Sequence, residues 1–203
     1  MAFKSVPVWR FYLPLLFQAA LILMIPARAI YTQLSGKTVI LQTIPVDPYD
    51  VLRGYSQTLR YDISRIENLR DLAGWQTLVQ QTNLEGGETL PPGTRFYVIL
   101  QAPAQVTIPP SAWNAIAVSR NFPQNLPENQ IAVEGQADYN WVNYGLETYY
   151  IPEDQRDEMN AEIIEIQTQG VEEEQAFVVE IKVDPQGNSV PVSLWMRDRN
   201  YRF

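Results

Sequence analysis

The sequence predicts a β-rich α+β protein: an N-terminal transmembrane helix, then an antiparallel β barrel or sandwich with one helix near residues 153–168. Three observations predict it. An uncharged apolar run, Phe11 to Ala27, stands near the N-terminus. Short stretches of β-branched and aromatic residues then recur between turns bearing Pro and Gly. One acid-rich segment, opening at Pro152, has helical spacing.

The apolar run holds 17 residues without a charge. At about 1.5 Å per residue it spans roughly 25 Å, and extension to Ile30 brings it to the thickness of a hydrocarbon core. Trp9, Tyr12 and Tyr31 stand where interfacial aromatics are expected, and Arg28 has the length to reach outward from the far end. Lys4 and Arg10 mark the cytoplasmic side. The expected layout is a cytoplasmic segment 1–10, an anchor 11–30, a linker 31–37 and a non-cytoplasmic β-rich domain 38–203. The competing reading is a signal peptide cleaved after Ala29, because Ala27-Arg28-Ala29 is a small-x-small exit.

In the body, Thr38 to Ile44 reads as a strand, and Pro45 to Asp50 as a turn with two prolines and two acids. Thr58 to Ile63 alternates, so that Leu59, Tyr61 and Ile63 share one face of a half-buried strand. Residues 65–82 have room for a short helix. Arg95 to Gln101 is the clearest strand, followed by Ala112–Ser119, Gln130–Gly135 and Tyr144–Ile151. Pro152 and the acids after it suit a helix start, Met159, Ile163 and Ile166 make one apolar stripe, and Gly170 suits its stop. Gln175–Val183 and Ser189–Met196 then flank the hairpin turn Asp184-Pro-Gln-Gly-Asn188.

Composition excludes several chemistries. The chain has no Cys and no His, so it holds no disulfide, no Cys or His metal site, no thiol nucleophile and no imidazole base. Residues 1–37 carry four basic residues and no acid, which leaves 23 acids against 11 basic residues beyond them, a net of −12. A body this acidic is repelled by phosphate backbones, and nucleic acid is excluded as the expected partner. No cofactor and no metal are expected. Glu172, Glu173, Glu174 and Asp184 supply oxygen ligands, but without the spacing of a calcium loop, and a charge run is more often a solvated turn.

Asp47-Pro-Tyr-Asp50 leads through Arg53-Gly54 to Leu59 and Tyr61, and Tyr149-Tyr-Ile-Pro-Glu153 follows later. These stretches resemble the bacterial GDYXXLXY family, membrane-anchored proteins named for a Gly-Asp-Tyr-x-x-Leu-x-Tyr motif. Gly54, Leu59 and Tyr61 stand at motif positions, whereas Tyr55 replaces the family's Asp and Ser56 its Tyr. Asp47, Asp50, Arg53, Pro152 and Glu153 fit the family's surroundings of that motif. The family has no established activity, and its members are often encoded beside polytopic membrane proteins. The resemblance therefore implies a non-enzymatic accessory subunit or assembly factor on such a complex.

The residues themselves admit two alternatives. Ser56 with Lys182 would make a membrane-anchored hydrolase of Ser–Lys type, which needs a desolvated lysine beside the serine. Cleavage after Ala29 would release a secreted binding module. For partner contact the candidates are Trp141 and Tyr144, from a dense aromatic cluster, and the basic, aromatic tail of Arg197, Arg199, Tyr201, Arg202 and Phe203.

Overall fold

The computed structural model describes residues 9–43, 56–82, 89–105, 107–150 and 177–202, and between the last two stretches Met159, Ala161 and Glu165. It opens with α1, Trp9–Ser35, a helix of 27 residues with Pro14 and Pro26 inside it. Its two parts, Trp9–Met24 and Pro26–Ser35, meet at a 43° bend, where Pro26 removes a backbone donor. No single helix among the described residues is long and apolar enough to cross a membrane, but this bent pair qualifies by length and composition. The linker expected at 31–37 is corrected: the helix continues to Ser35, and Gly36 alone turns the chain into the first strand.

One sheet is β1 (Lys37–Gln42), β8 (Phe177–Val183), β9 (Ser189–Met196) and β10 (Arg199–Arg202), antiparallel in the order 1-8-9-10. The other is β3 (Arg95–Gln101), β4 (Asn114–Ser119), β5 (Gln130–Asp138) and β6 (Trp141–Asn143), antiparallel in the order 4-3-5-6. A ribbon of β2 (Ser56–Thr58) and β7 (Thr148–Tyr150) stands apart from both. Between β2 and β3 lie a 3-10 turn, Asp62–Ser64, and two short helices, α2 (Ile66–Leu69) and α3 (Trp75–Thr82).

Both sheets turn alternate residues into one core. Val39 and Leu41 of β1 and Val179, Ile181 and Val183 of β8 meet Phe96, Val98 and Leu100 of β3, with Ile66, Leu69, Trp75 and Leu78 of the helices among them. The barrel alternative is therefore corrected to two open sheets. Closure would need a ladder between sheet edges, and among the described residues the edges formed by β1 and β4 are linked by one backbone bond, from the Trp113 amide just before β4 to the Ile40 carbonyl, 2.8 Å.

Other differences have local causes. The strand expected over 58–63 pairs only as far as Thr58; beyond it the Ser64 hydroxyl accepts from the Tyr61 amide and the chain coils into the 3-10 turn, although Leu59, Tyr61 and Ile63 keep their common buried face. Of the strand expected over 144–151 only Thr148–Tyr150, β7, is a strand; residues 144–147 connect it to β6, with Gly145 at φ +75° in the connection. The tail forms β10 through a tight turn at Arg197, φ +50°, which lacks the usual Gly or Asn. The three described positions inside the expected helix near 153–168 are helical, and Met159 from its apolar stripe is fully buried.

Gly74 joins α2 to α3 at φ +87°, and a Cβ there would lie 2.1 Å from the Val118 carbonyl oxygen. Gly74→Ala is expected to cost more than about 1 kcal/mol in urea unfolding, through both the backbone conformation and the clash. Gly145→Ala, at φ +75° with nothing within 4 Å, has only the backbone term and should lose less.

Candidate functional site

The two sheets and α1 converge on the β8–β9 turn. Asp184 opens that turn and is 2% exposed. Its Oδ1 accepts from the Gln186 and Asn188 amides, each at 2.9 Å, and from Asn188 Nδ2 at 3.0 Å. Its Oδ2 accepts from Asn188 Nδ2 at 2.8 Å and from Thr32 Oγ1 at 2.9 Å. Thr32 is in the last two turns of α1 and is itself buried, so one carboxylate both caps the hairpin and holds the helix. One helical turn earlier, Arg28 donates to Asn188 Oδ1. On the turn's other side the Glu134 amide of β5 donates to the Gly187 carbonyl at 2.9 Å.

Burial by itself would push the Asp184 carboxyl up. The hydrogen bonds from the Asn188 and Thr32 side chains and from the Asn188 and Gln186 amides outweigh it and hold the group below the ordinary carboxylate range. Gly36 completes the joint: a Cβ there would stand 2.4 Å from the Thr32 carbonyl oxygen and 3.0 Å from the Val183 nitrogen, so no larger residue fits between helix and hairpin.

Beside the joint lies an open cleft of about 570 Å³, lined among others by Arg28, Arg95, Glu134, Tyr144, Glu147 and Asn188. Its charged lining is two arginines and two glutamates. Arg95 and Glu134 face each other at 3.7 Å. Glu147 accepts from the Tyr144 amide at 2.5 Å.

The motif residues form the wall behind this cleft. The Tyr61 hydroxyl donates to the Leu146 carbonyl at 2.7 Å, and the Tyr144 hydroxyl donates to the Ile63 carbonyl at 2.7 Å. The Leu59 amide donates to the Glu147 carbonyl at 2.6 Å. Segments 59–63 and 144–147 are thereby pinned to each other from both sides. Burial, with Glu147 adding to it, raises both phenols far above their ordinary range, which keeps them protonated as donors.

Of the motif and partner residues expected from the sequence, Leu59, Tyr61 and Tyr144 are thus brought together, but as core. Tyr144 and Tyr201 are each 7% exposed, and that burial corrects their assignment to a partner-facing surface. Trp141 is half-buried, with the guanidinium carbons of Arg60 and Arg65 at 4.3 and 5.9 Å from its ring. Arg197 pairs with Glu165 at 3.6 Å, while Arg199 and Arg202 are exposed on β10. Asp47, Asp50, Arg53, Gly54, Pro152, Glu153 and Phe203 lie outside the described residues. The Lys182 ammonium donates to Thr38 Oγ1 at 2.7 Å within the β1–β8 pair, whereas Ser56 belongs to the separate β2–β7 ribbon.

Sequence reasoning missed Thr32, Asn188 and Glu147. A signal existed only for Asp184, an acid at the first position of a hairpin turn.

A β-rich body of two antiparallel sheets, docked on the end of a long bent apolar helix and braced by a crossed pair of tyrosines, defines the class. The chain belongs to the GDYXXLXY family: the model described as GDYXXLXY protein matches residues 18–194, from the middle of α1 into β9. No curated protein and no solved structure matches the chain.

Tyr61→Phe and Tyr144→Phe each leave a buried carbonyl without its donor. Each is expected to lose about 1–3 kcal/mol in urea unfolding, and the double variant less than the sum, because both bonds hold the same two segments. Asp184→Asn should cost about 1–3 kcal/mol near neutral pH. Because folding lowers the Asp184 pKa, its contribution is present above the unfolded value and is lost as pH falls. The stability gap between wild type and Asp184→Asn should therefore narrow below about pH 4. Thermal unfolding across pH checks it.

Proposed function

We propose that the protein is a single-span membrane protein whose non-cytoplasmic β-rich body serves, without catalysis of its own, as an accessory subunit or assembly factor of a polytopic membrane protein. One observation carries the membrane reading: α1 touches the body only near its end. Phe11, Leu16, Phe17, Ile22, Leu23 and Met24 are 65–68% exposed, while Thr32 is buried. A continuous apolar surface of this kind needs a cover, and a bilayer supplies one. Lys4 and Arg10 before it favour a cytoplasmic N-terminus.

Retention of the helix is favoured over cleavage after Ala29. Cleavage would remove Arg28 from Asn188 and leave Thr32 on a two-residue stub, whereas in the structure Ala29 is in mid-helix. The accessory role rests on family membership and on exposed Arg199 and Arg202 at the sheet edge formed by β10. An edge strand with arginines pairs poorly with copies of itself and well with an acidic surface.

The test is affinity purification from mildly solubilised native membranes, combined with intact mass. The expected result is a mass that includes residues 1–29, recovery in the membrane fraction, and one set of membrane partners at constant ratio. A mature form beginning at Ile30 would overturn the anchor. Recovery of the protein alone, after crosslinking and across detergents, would overturn the accessory role.

A further inference from the structure

The cleft at the helix–body joint carries two arginines and two glutamates in its lining. Its four charges cancel, and two of them, Arg95 and Glu134, face each other at 3.7 Å. Arg28 and Glu147 remain to address a ligand. Arg28 spends one nitrogen on Asn188, leaving most of its five N–H donors for an anion such as phosphate. Glu147 spends one carboxylate oxygen on the Tyr144 amide and retains acceptor capacity for an ammonium. The side-chain amides of Gln136 and Asn143 supply neutral donors and acceptors around them.

Position narrows the ligand. The exposed apolar stretch of α1, Leu21 to Met24, ends about one turn before Arg28, and Tyr31, 53% exposed, follows it. On the reading of α1 as a membrane anchor, Arg28 and Tyr31 therefore lie at the headgroup level, and the acyl chains of a lipid whose headgroup entered the cleft would run along α1. We propose that the cleft binds the headgroup of a phospholipid carrying both a phosphate and a primary ammonium, of the phosphatidylethanolamine type, with Arg28 on the phosphate and Glu147 on the ammonium.

Three lipids separate the parts of this recognition. Phosphatidylethanolamine, phosphatidylcholine and phosphatidylglycerol share the phosphate. Only the first has ammonium N–H donors for a carboxylate, and the last has no cation. The full-length protein is placed in nanodiscs of equal parts of the three, and the lipids it retains are counted by native mass spectrometry.

Phosphatidylethanolamine should be retained about tenfold over the other two, as expected for one charge-assisted hydrogen bond. Glu147→Gln, which keeps an acceptor for the Tyr144 amide, should lower phosphatidylethanolamine to the level of the other two and leave their retention unchanged. Arg28→Gln should lower retention of all three. Thermal unfolding of each variant verifies that the fold survives, including Arg28→Gln, which gives up the bond to Asn188.

Retention in bulk proportions by wild type, or a preference that survives both substitutions, overturns the headgroup site while leaving the anchor intact. If the protein instead fails to enter the discs, the anchor reading falls by itself. Titration with O-phosphoethanolamine then decides the cleft: binding assigns it to a soluble zwitterion and overturns the lipid source, and absence of binding overturns the site altogether.

Discussion

The structure depends on one buried carboxylate. Asp184 takes five hydrogen bonds from three partners, and these partners belong to different parts of the chain: its own hairpin turn, through Gln186 and Asn188, and the N-terminal helix α1, through Thr32. A carboxylate removed from water is tolerated only when its lone pairs are filled, and filling them here requires the helix to sit in one place. The remaining turn carbonyl, at Gly187, engages β5 of the second sheet. Helix, first sheet and second sheet are therefore registered against one another at a single turn. The cleft exists because α1 is held there, at a set distance from β5 and from the segment 143–147.

The family's motif has an architectural part in this chain. Leu59 and Tyr61 are both in the core, and the Tyr61 phenol reaches Leu146, a residue far along the chain, while Tyr144 reaches back to Ile63. This crossed arrangement ties the stretch after the motif to the wall of the cleft. Each phenol satisfies a carbonyl that has no strand partner, because β2 and β6 stop short of it. Tyr55 and Ser56, where this chain departs from the motif, precede Leu59 and Tyr61 in the sequence. The lock can therefore persist in a chain whose motif has changed in its first half.

Legibility differed by the range of the interaction. Arg95–Gln101 was readable to the residue because a run of Phe, Tyr, Val, Ile and Leu suits a strand covered on both sides. The hairpin Phe177–Met196 was readable because Asp-Pro-Gln-Gly-Asn is a local turn signal. β10 was not, since its turn uses Arg197 at positive φ, a conformation that sequence preference assigns to Gly or Asn. The basic tail looked like a free docking segment, yet pairing with β9 buries Tyr201 and leaves Arg199, Asn200 and Arg202 outward. Nor could alternation alone distinguish a strand over 58–63 from a coiled segment with the same buried face, because Leu59, Tyr61 and Ile63 alternate in either case.

What the sequence by itself determined is what depends on neighbours in the chain: the apolar helix, the short strands and most of their turns, the absence of thiol and imidazole chemistry, and membership in a family. What only the tertiary structure decided is which distant groups meet. Thr32 and Asp184 are 152 residues apart, Tyr61 and Leu146 are 85 apart, and Arg28 reaches a cleft lined by residues 95 to 190. No periodicity or composition encodes such pairs, because a buried hydrogen bond is selected by the packing of whole sheets around it, and its partners are chosen by position in space rather than by spacing along the chain.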